Sequence, residues 1–208
     1  MTPLISWLGH SSVKIKGRIA IYIDPWKIGA EEKADLILIS HSHGDHFSPG
    51  DISKLWKKET VVLAQYACVP LLSGDVRAMQ PGDEMTISGA TVRAVPAYNV
   101  NKSFHPKTDK GLGFLIRMEG KVIYYGGDTD RIPEMDEIAA DIVIFPVGGT
   151  YTMTAEEAAQ AVNQIKPERA IPIHFGDIVG SIRDARRFAE LCTVPVSILP
   201  VTRDSCAG

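Results

Sequence analysis

The sequence is poor in cysteine and has no long apolar segment. Its 208 residues include three cysteines, Cys68, Cys192 and Cys206, too few and too scattered for a disulfide framework or a zinc knuckle. We expect Cys68 and Cys192 to fill the core and Cys206 to be a thiol in the tail. No apolar run approaches the roughly 18 residues that a membrane-spanning helix needs. The first residues, MTPLISWLGHSS, lack the basic and apolar regions of a secretory signal. These absences predict a cytoplasmic protein with no membrane partner.

A net positive charge is also lacking, because the 22 Lys and Arg residues are outnumbered by 25 Asp and Glu and the formal net charge is −3. A protein that binds nucleic acid usually carries a basic surface, so we expect no nucleic-acid partner. The 45% of hydrophobic residues can supply a substantial core. No linker or low-complexity tract divides the chain, which predicts a single domain over residues 1–208.

The first half of the chain predicts short strands, and the second half alternates strands with helices. Strands are predicted in LISWL, SVKIK, IAIYID, LILI and TVVLAQ, between Asp75 and Pro96, and later in DIVIFPV, RAIPIHF and PVSILPV. Helices are predicted from Ser48 to about Lys58, in YACVPLL, over roughly Ile132 to Ala140, from Thr154 onward, and from Ser181 to about Cys192. Two sets of strands with helices outside them indicate an α/β protein, a four-layer αββα sandwich. A three-layer α/β sheet is the alternative that the pattern alone allows.

The rest of the chain is organised around the stretch from Leu36 to Ser48, LILISHSHGDHFS. A buried apolar strand stops at Ser40, and His41, His43, Asp45 and His46 then follow within six residues. Three imidazoles and a carboxylate suit Zn²⁺, and also Fe or Mn. A polar surface turn is the alternative, but turns favour Gly, Asn, Asp and Ser and have no use for three imidazoles. The stretch therefore predicts a metal site.

Four more candidates follow strands or lie in loops. His10 lies in the turn WLGHSS, and His105 in the long polar loop AYNVNKSFHPKTDKG. Asp128 follows the strand VIYY and two glycines, and His174 ends the strand RAIPIHF. From the residues alone, a solvent-exposed histidine is the alternative for His10 and for His105, and the first residue of an Asx-turn is the alternative for Asp128.

HSHGDH matches the HxHxDH signature of the metallo-β-lactamase superfamily, and the resemblance extends over almost the whole chain. The segments LGH, PAYN, GDTD, GGTYTM and IPIHFG look most like a small single-domain group of metal-dependent hydrolases related to L-ascorbate-6-phosphate lactonase and to phosphodiesterase-like members. The resemblance implies the αββα sandwich. It also implies a ligand order, in which one ion is held by His41, His43 and His105, a second by Asp45, His46 and His174, and both by Asp128 as a bridge. Since His105 follows its strand at some distance, a substrate contact is the alternative for this residue.

The implied centre is catalytic, because each ion would keep an open position. Two ions, Zn²⁺ or else Mn²⁺ or Fe, can lower the pKa of a bridging water and so generate a metal-bridged hydroxide. We expect Asp45 and Asp128 to accept protons, and His10 to act near the ions as in relatives that begin with LGH. The predicted reaction is hydrolysis of a small ester, lactone or phosphodiester. The alternative function is a non-catalytic regulatory or scaffold protein that binds metal.

Three residues of the loop after DIVIFPV are candidates for substrate binding. The N–H and hydroxyl groups of Gly149, Thr150 and Tyr151 would meet a phosphate or a tetrahedral oxyanion. A plain turn before a capped helix is an equally good interpretation of this loop. The expected partner is a small-molecule substrate, and a homo-oligomer is compatible with the sequence.

Overall fold

The computed structural model describes residues 2–202, which form two six-stranded β-sheets. The strands of the first sheet are β1 (Leu4–Gly9), β2 (Ser12–Lys16), β3 (Ala20–Ile23), β4 (Leu36–Ile39), β5 (Val61–Gln65) and β6 (Asp75–Met79). Those of the second sheet are β7 (Glu84–Ile87), β8 (Ala90–Ala97), β9 (Gly111–Met118), β10 (Lys121–Tyr125), β11 (Ile142–Pro146) and β12 (Arg169–Ile173). The α-helices are α1 (Pro49–Leu55), α2 (Ala155–Ile165) and α3 (Ile182–Leu191).

Each sheet is antiparallel at one side and parallel at the other. Strands β1 to β3 form an antiparallel meander, and β3 to β6 then run parallel. In the second sheet β7 to β10 are antiparallel, while β10, β11 and β12 are parallel. The carboxyl ends of neighbouring parallel strands meet at one edge of a sheet, which is where α/β proteins place their ligands. Side chains that follow β3, β4, β10 and β12 are therefore brought to common edges.

The two faces of the first sheet pack against different hydrophobic clusters. Ile21 and Ile23 of β3 belong to the core that includes the second sheet, whereas Ala20 and Tyr22 pack with α1 on the outer face. This alternation follows from the two-residue period of a strand. Helices α2 and α3 cover the outside of the second sheet through small and apolar side chains such as Ala158. The four-layer αββα sandwich is confirmed.

The helix starts follow the predicted capping residues. Thr154 and Glu157 form a capping box at α2, Ser181 and Asp184 form another at α3, and Ser48 caps α1. Two predicted helices are only 3₁₀ turns, Val69–Leu71 and Pro133–Glu137, and α1 ends at Leu55 instead of Lys58. The second 3₁₀ turn buries only Met135, too little apolar surface to stabilise an α-helix.

The predicted closing strand PVSILPV is wrong. Only two isolated bridges occur there, Val196 to Ala170 of β12 and Val201 to Trp7 of β1. Since β12 and β1 are edge strands of different sheets, the segment passes from one sheet to the other and cannot form a ladder with either. Pro195 and Pro200 also lack the N–H groups that a ladder needs.

Cys68 is buried, Cys192 is partly buried, and Cys206 lies outside the described residues. Across residues 2–202, every helix is too short or too polar to cross a bilayer.

Candidate metal centre

The loop between β4 and α1 presents the HSHGDH residues at the carboxyl edge of the first sheet. The N–H groups of His46 and Phe47 both donate to the carbonyl of His43, at 3.0 and 2.8 Å, which closes a tight turn. Phe47 and Ile52 pack under this turn in the outer core. The loop therefore has a rigid support, and its polar side chains face away from it.

A first group of donors consists of His41, His43 and His105. The Nδ1 atom of His43 lies 3.1 Å from Nε2 of His41 and 3.1 Å from Nε2 of His105. These nitrogens are close enough together to hold one metal ion. The structure thus brings together the three histidines that the resemblance assigned to one ion.

His105 reaches this group from the long loop between β8 and β9, in which the only regular element among the described residues is a 3₁₀ turn, Lys107–Asp109. Its ring is buried, and its Nδ1 atom lies 3.1 Å from Oδ1 of Asn99 and 3.2 Å from the carbonyl oxygen of Tyr151. Both neighbours are acceptors, so Nδ1 carries the proton and Nε2 presents its lone pair to the histidine group. The interpretation of His105 as a solvent-exposed loop residue is wrong. Asn99, which fixes the ring, was missed by the sequence reasoning.

A second group consists of Asp45, His46 and His174, with His10 beside them. The Nε2 atom of His46 lies 3.8 Å from Oδ2 of Asp45, and Nε2 of His10 lies 2.9 Å from the same oxygen. His46 and His174 are almost completely buried. Again the residues that the resemblance assigned to one ion are found together.

Asp128 lies between the two groups. Its Oδ1 atom is 3.2 Å from Nε2 of His46, and its Oδ2 atom is 3.2 Å from Nε2 of His174 and 3.5 Å from Nε2 of His105. Gly127 allows this approach: its φ is +67°, and a Cβ atom there would lie 2.4 Å from the carbonyl oxygen of Leu112. Asp128 is therefore not a simple Asx-turn residue on the surface.

Asp24 is the most important residue that the sequence reasoning missed. It follows β3, is completely buried, and accepts hydrogen bonds from the Ser40 N–H (2.8 Å), Ser40 Oγ (2.6 Å), His46 Nδ1 (2.8 Å) and Tyr125 Oη (2.8 Å). Because the Ser40 hydroxyl donates to Asp24, it accepts from Nδ1 of His41 at 2.9 Å. One carboxylate thus directs the Nε2 lone pairs of a histidine in each group towards the site. The available signal was a carboxylate directly after a buried strand, as for Asp128.

The charges of the site favour a cation. Burial by itself raises the pKa of Asp128, but His174 and His46 hold that pKa well below its usual value. Burial likewise opposes ionisation of Asp45, whose pKa is held below its usual value by the hydrogen bond from His10 and by His46. Burial lowers the pKa of His46, yet Asp128 and Asp24 raise it well above the usual value, so a metal ion would displace the proton on its Nε2 atom. Both carboxylates are therefore ionised at neutral pH.

Unpaired donor atoms show that the site fits a metal ion. Oδ1 of Asp128 and both ring nitrogens of His174 are buried without a hydrogen-bond partner. Unpaired buried polar atoms are costly, and coordination of a metal ion would satisfy Oδ1 of Asp128 and one of the two nitrogens of His174. Imidazole nitrogens and carboxylate oxygens are the donors that catalytic Zn²⁺, Mn²⁺ and Fe centres use.

The loop of Gly149, Thr150 and Tyr151 differs from the substrate-binding prediction. The N–H of Gly149 donates to the carbonyl of Met153 and that of Thr150 to the carbonyl of Gly148, both at 3.0 Å. These two N–H groups are therefore used within the turn before α2 and do not form an oxyanion-binding pair. Tyr151 contacts the first group through its carbonyl oxygen, and a substrate contact by its hydroxyl stays a prediction.

Comparisons with known proteins identify the family of the chain. The family model described as "Beta-lactamase superfamily domain" matches residues 4–174. A UPF0173 metal-dependent hydrolase of Thermus thermophilus is 32% identical over 89% of each chain, and one of Thermoplasma acidophilum is 33% identical over 90% of this chain and 89% of its own. Among solved structures, a putative metal-dependent hydrolase from Parabacteroides distasonis superposes with a TM-score of 0.84 at 31% identity, covering 95% of this chain and 92% of its own. The chain therefore belongs to the β-lactamase superfamily, in which it has the metallo-β-lactamase fold and is a metal-dependent hydrolase.

Proposed function

We propose that the protein hydrolyses a small ester, lactone or phosphodiester with two metal ions. The observation that carries this proposal is the position of Asp128. One of its oxygens lies near His46, and the other lies near both His174 and His105, so a single carboxylate reaches both donor groups. A bridging carboxylate of this kind supports two neighbouring ions better than one.

We assign His41, His43 and His105 to the first ion and Asp45, His46 and His174 to the second. Asp128, which lies near His46, His174 and His105, would serve both. When bound, such ions make water a nucleophile at neutral pH and polarise the oxygen of the scissile bond. Asp45 and Asp128 are ionised and are the carboxylates placed to accept a proton. Asp24 and Asn99 fix the histidine rings, so little reorganisation is needed during the reaction.

The cavity beside the first group restricts the substrate. It measures about 40 Å³ and is lined by histidines of the first group together with Gln65, Asp109 and Leu112. A single water needs roughly 10–15 Å³ of space measured in this way, so the cavity admits a few atoms of a substrate beside the histidines. A small substrate, or a small group on a larger one, fits this space.

The charges of the residues that line the cavity favour some substrate classes over others. The lining contains Asp109 and Asp128 and, among the described residues, neither Lys nor Arg. A phosphodiester would have to rely on the ions alone to balance its charge, whereas a carboxylic ester or a lactone brings no charge. We therefore place uncharged esters and lactones first.

The test combines metal analysis with a substrate panel. Metal-free protein is reconstituted separately with Zn²⁺, Mn²⁺ and Fe²⁺, freed of excess metal by gel filtration, and analysed by mass spectrometry for metals. We expect two ions per chain, with Zn²⁺ the best retained, and turnover of p-nitrophenyl acetate and a δ-lactone above that of bis-p-nitrophenyl phosphate.

Two results would contradict different parts of the proposal. A limit of one ion per chain with every metal would reject the two-ion site. Two ions with turnover of the phosphodiester alone would leave the site intact and reverse the ranking of substrates. An Arg77→Ala variant, which changes an exposed ion pair on β6, serves as the control for preparation and reconstitution.

A further inference from the structure

The turn between β1 and β2 has an unusual backbone. Gly9 has φ +103° and His10 has φ +48°, so a histidine occupies the left-handed region. This region costs energy for residues other than glycine, although Asn, Asp and His enter it more often than most. The ring of His10 is also fully buried, although it belongs to a turn. A strained, buried polar residue in a turn needs contacts that keep it there.

The side chain of His10 contacts Asp45. Its Nε2 atom lies 2.9 Å from Oδ2 of Asp45, while its Nδ1 atom is buried and has no hydrogen-bond partner. An unpaired lone pair at Nδ1 costs less than an unpaired N–H, so the ring is neutral with its proton on Nε2. His10 therefore donates to Oδ2 of Asp45 and leaves the other carboxylate oxygen free.

The backbone and the ring face of His10 contact His174. The carbonyl oxygen of His10 accepts the His174 N–H at 2.9 Å and the indole N–H of Trp7 at 2.8 Å. The rings of His10 and His174 lie with their centroids 4.0 Å apart. A single residue thus joins the end of β12 to the HSHGDH loop, two segments from different sheets.

We propose that His10 is a positioning residue for the second donor group, and that it orients Asp45 through its Nε2–H and His174 through its carbonyl. This differs from the catalytic role that the sequence predicted, because His10 is enclosed by Asp45, His174 and Trp26 and is 1% exposed. The inference rests on the proposed function in taking Asp45 and His174 as ligands of one ion.

Two amide substitutions separate the positioning role from other roles. The amide nitrogen of Gln extends about as far from Cα as Nε2 of histidine, while that of Asn extends only as far as Nδ1. His10→Gln keeps a donor for Asp45, and His10→Asn loses it. Asn tolerates a positive φ better than Gln does. Backbone strain alone would therefore make His10→Gln the more damaging variant, which is the opposite of the result expected from the hydrogen bond to Asp45.

The measurement is the affinity of each ion, obtained by competition with a chromogenic chelator. We expect His10→Asn to weaken the second ion about 10–100-fold, the usual effect of losing a partner of a ligand. His10→Gln should stay within about threefold of wild type, and the first ion should be unchanged in both variants. Co²⁺ absorption spectra of the second site should change in His10→Asn and not in His10→Gln.

Other roles give different results. If His10 ligates the ion itself, both variants lose the second ion, since an amide is a poor substitute for imidazole. If His10 contacts substrate, both variants keep both ions and only kcat and KM change. An equal loss of both ions in the two variants would indicate a general effect on folding. Each of these results would overturn the proposal.

A metal-free measurement separates this inference from the proposed function. In ¹⁵N NMR spectra of the metal-free protein, the His10 ring should have the neutral Nε2–H tautomer, and its signal should shift in Asp45→Asn. The Nδ1–H tautomer would refute the positioning role whatever the number of ions. A wild-type protein that binds one ion would refute the two-ion function while the tautomer result still decides the role of His10.

Discussion

Replacing Asp24 with Asn tests the inner support of the metal centre without touching a proposed ligand. Oδ1 of Asp24 accepts the Ser40 N–H, and Oδ2 accepts three donors, from Ser40 Oγ, His46 Nδ1 and Tyr125 Oη. Asn has the same shape but supplies one acceptor oxygen and one NH₂ group. In either orientation of the amide, its NH₂ group faces an N–H or O–H group that donates to Asp24 in the wild-type protein.

The two orientations have different costs. With the NH₂ group towards the Ser40 N–H, one hydrogen bond to a charged acceptor is lost, at about 1.5–3 kcal/mol, and the other three bonds weaken. With the NH₂ group towards the three donors, the hydroxyls can rotate, but His46 must move its proton to Nε2. That proton would occupy the position of the metal. We therefore expect a loss of roughly 3 kcal/mol in the free energy of unfolding, and a 10–100-fold weaker affinity for metal.

The assay measures both quantities on the same variants. Urea unfolding of the metal-free protein, followed by circular dichroism, gives the stability, and chelator competition gives the metal affinities. Tyr125→Phe is the matched control, because it removes one donor to Asp24 and leaves His46 unchanged. We expect this control to lose about 1 kcal/mol of stability and to bind both ions normally. If Asp24→Asn binds both ions as tightly as wild type, Asp24 does not set the histidine tautomers.

Three further predictions concern ligands and stability. Asp128→Asn should keep the fold but lose most activity and bind both ions more weakly, because a neutral amide cannot balance two dications. Circular dichroism, metal analysis and turnover measure these three effects. Unchanged turnover would reject the bridging role. His105→Ala should lose the first ion on dialysis against a weak chelator and keep the second; retention of both ions with lower activity would make His105 a substrate contact. Burial raises the pKa of Asp35, but Lys57 and the Ala20 N–H hold it below its unfolded value. The stability that Asp35 contributes is thus present above its unfolded pKa and lost as the pH falls through its folded pKa. Urea unfolding over a pH series should show a shallower acid dependence in Asp35→Asn, and equal slopes would contradict this reasoning.

The sequence by itself indicated the strands, the helix starts and the candidate donors that follow the strands. Apolar strands followed by His41, Asp128 and His174 are local patterns. Because β10 and β12 belong to the parallel part of one sheet, their carboxyl ends, and with them Asp128 and His174, lie at a common edge, whereas His41 follows β4 of the other sheet. The capping boxes at α2 and α3 are equally local, since the paired residues are three positions apart. Such features were predictable because the residues that define them are neighbours in the chain.

Only the tertiary structure decided how the donors are held. Asp24 meets His46 and Tyr125 across 22 and 101 positions of the chain, and His10 meets Asp45 across 35. The passage of residues 196–201 between two edge strands likewise depends on how the sheets pack, which no local pattern contains. A hydrogen bond depends on distances of a few tenths of an ångström between atoms that folding brings together. For this reason the sequence could predict the candidate ligands, while the contacts that orient their rings depend on the packing of the two sheets.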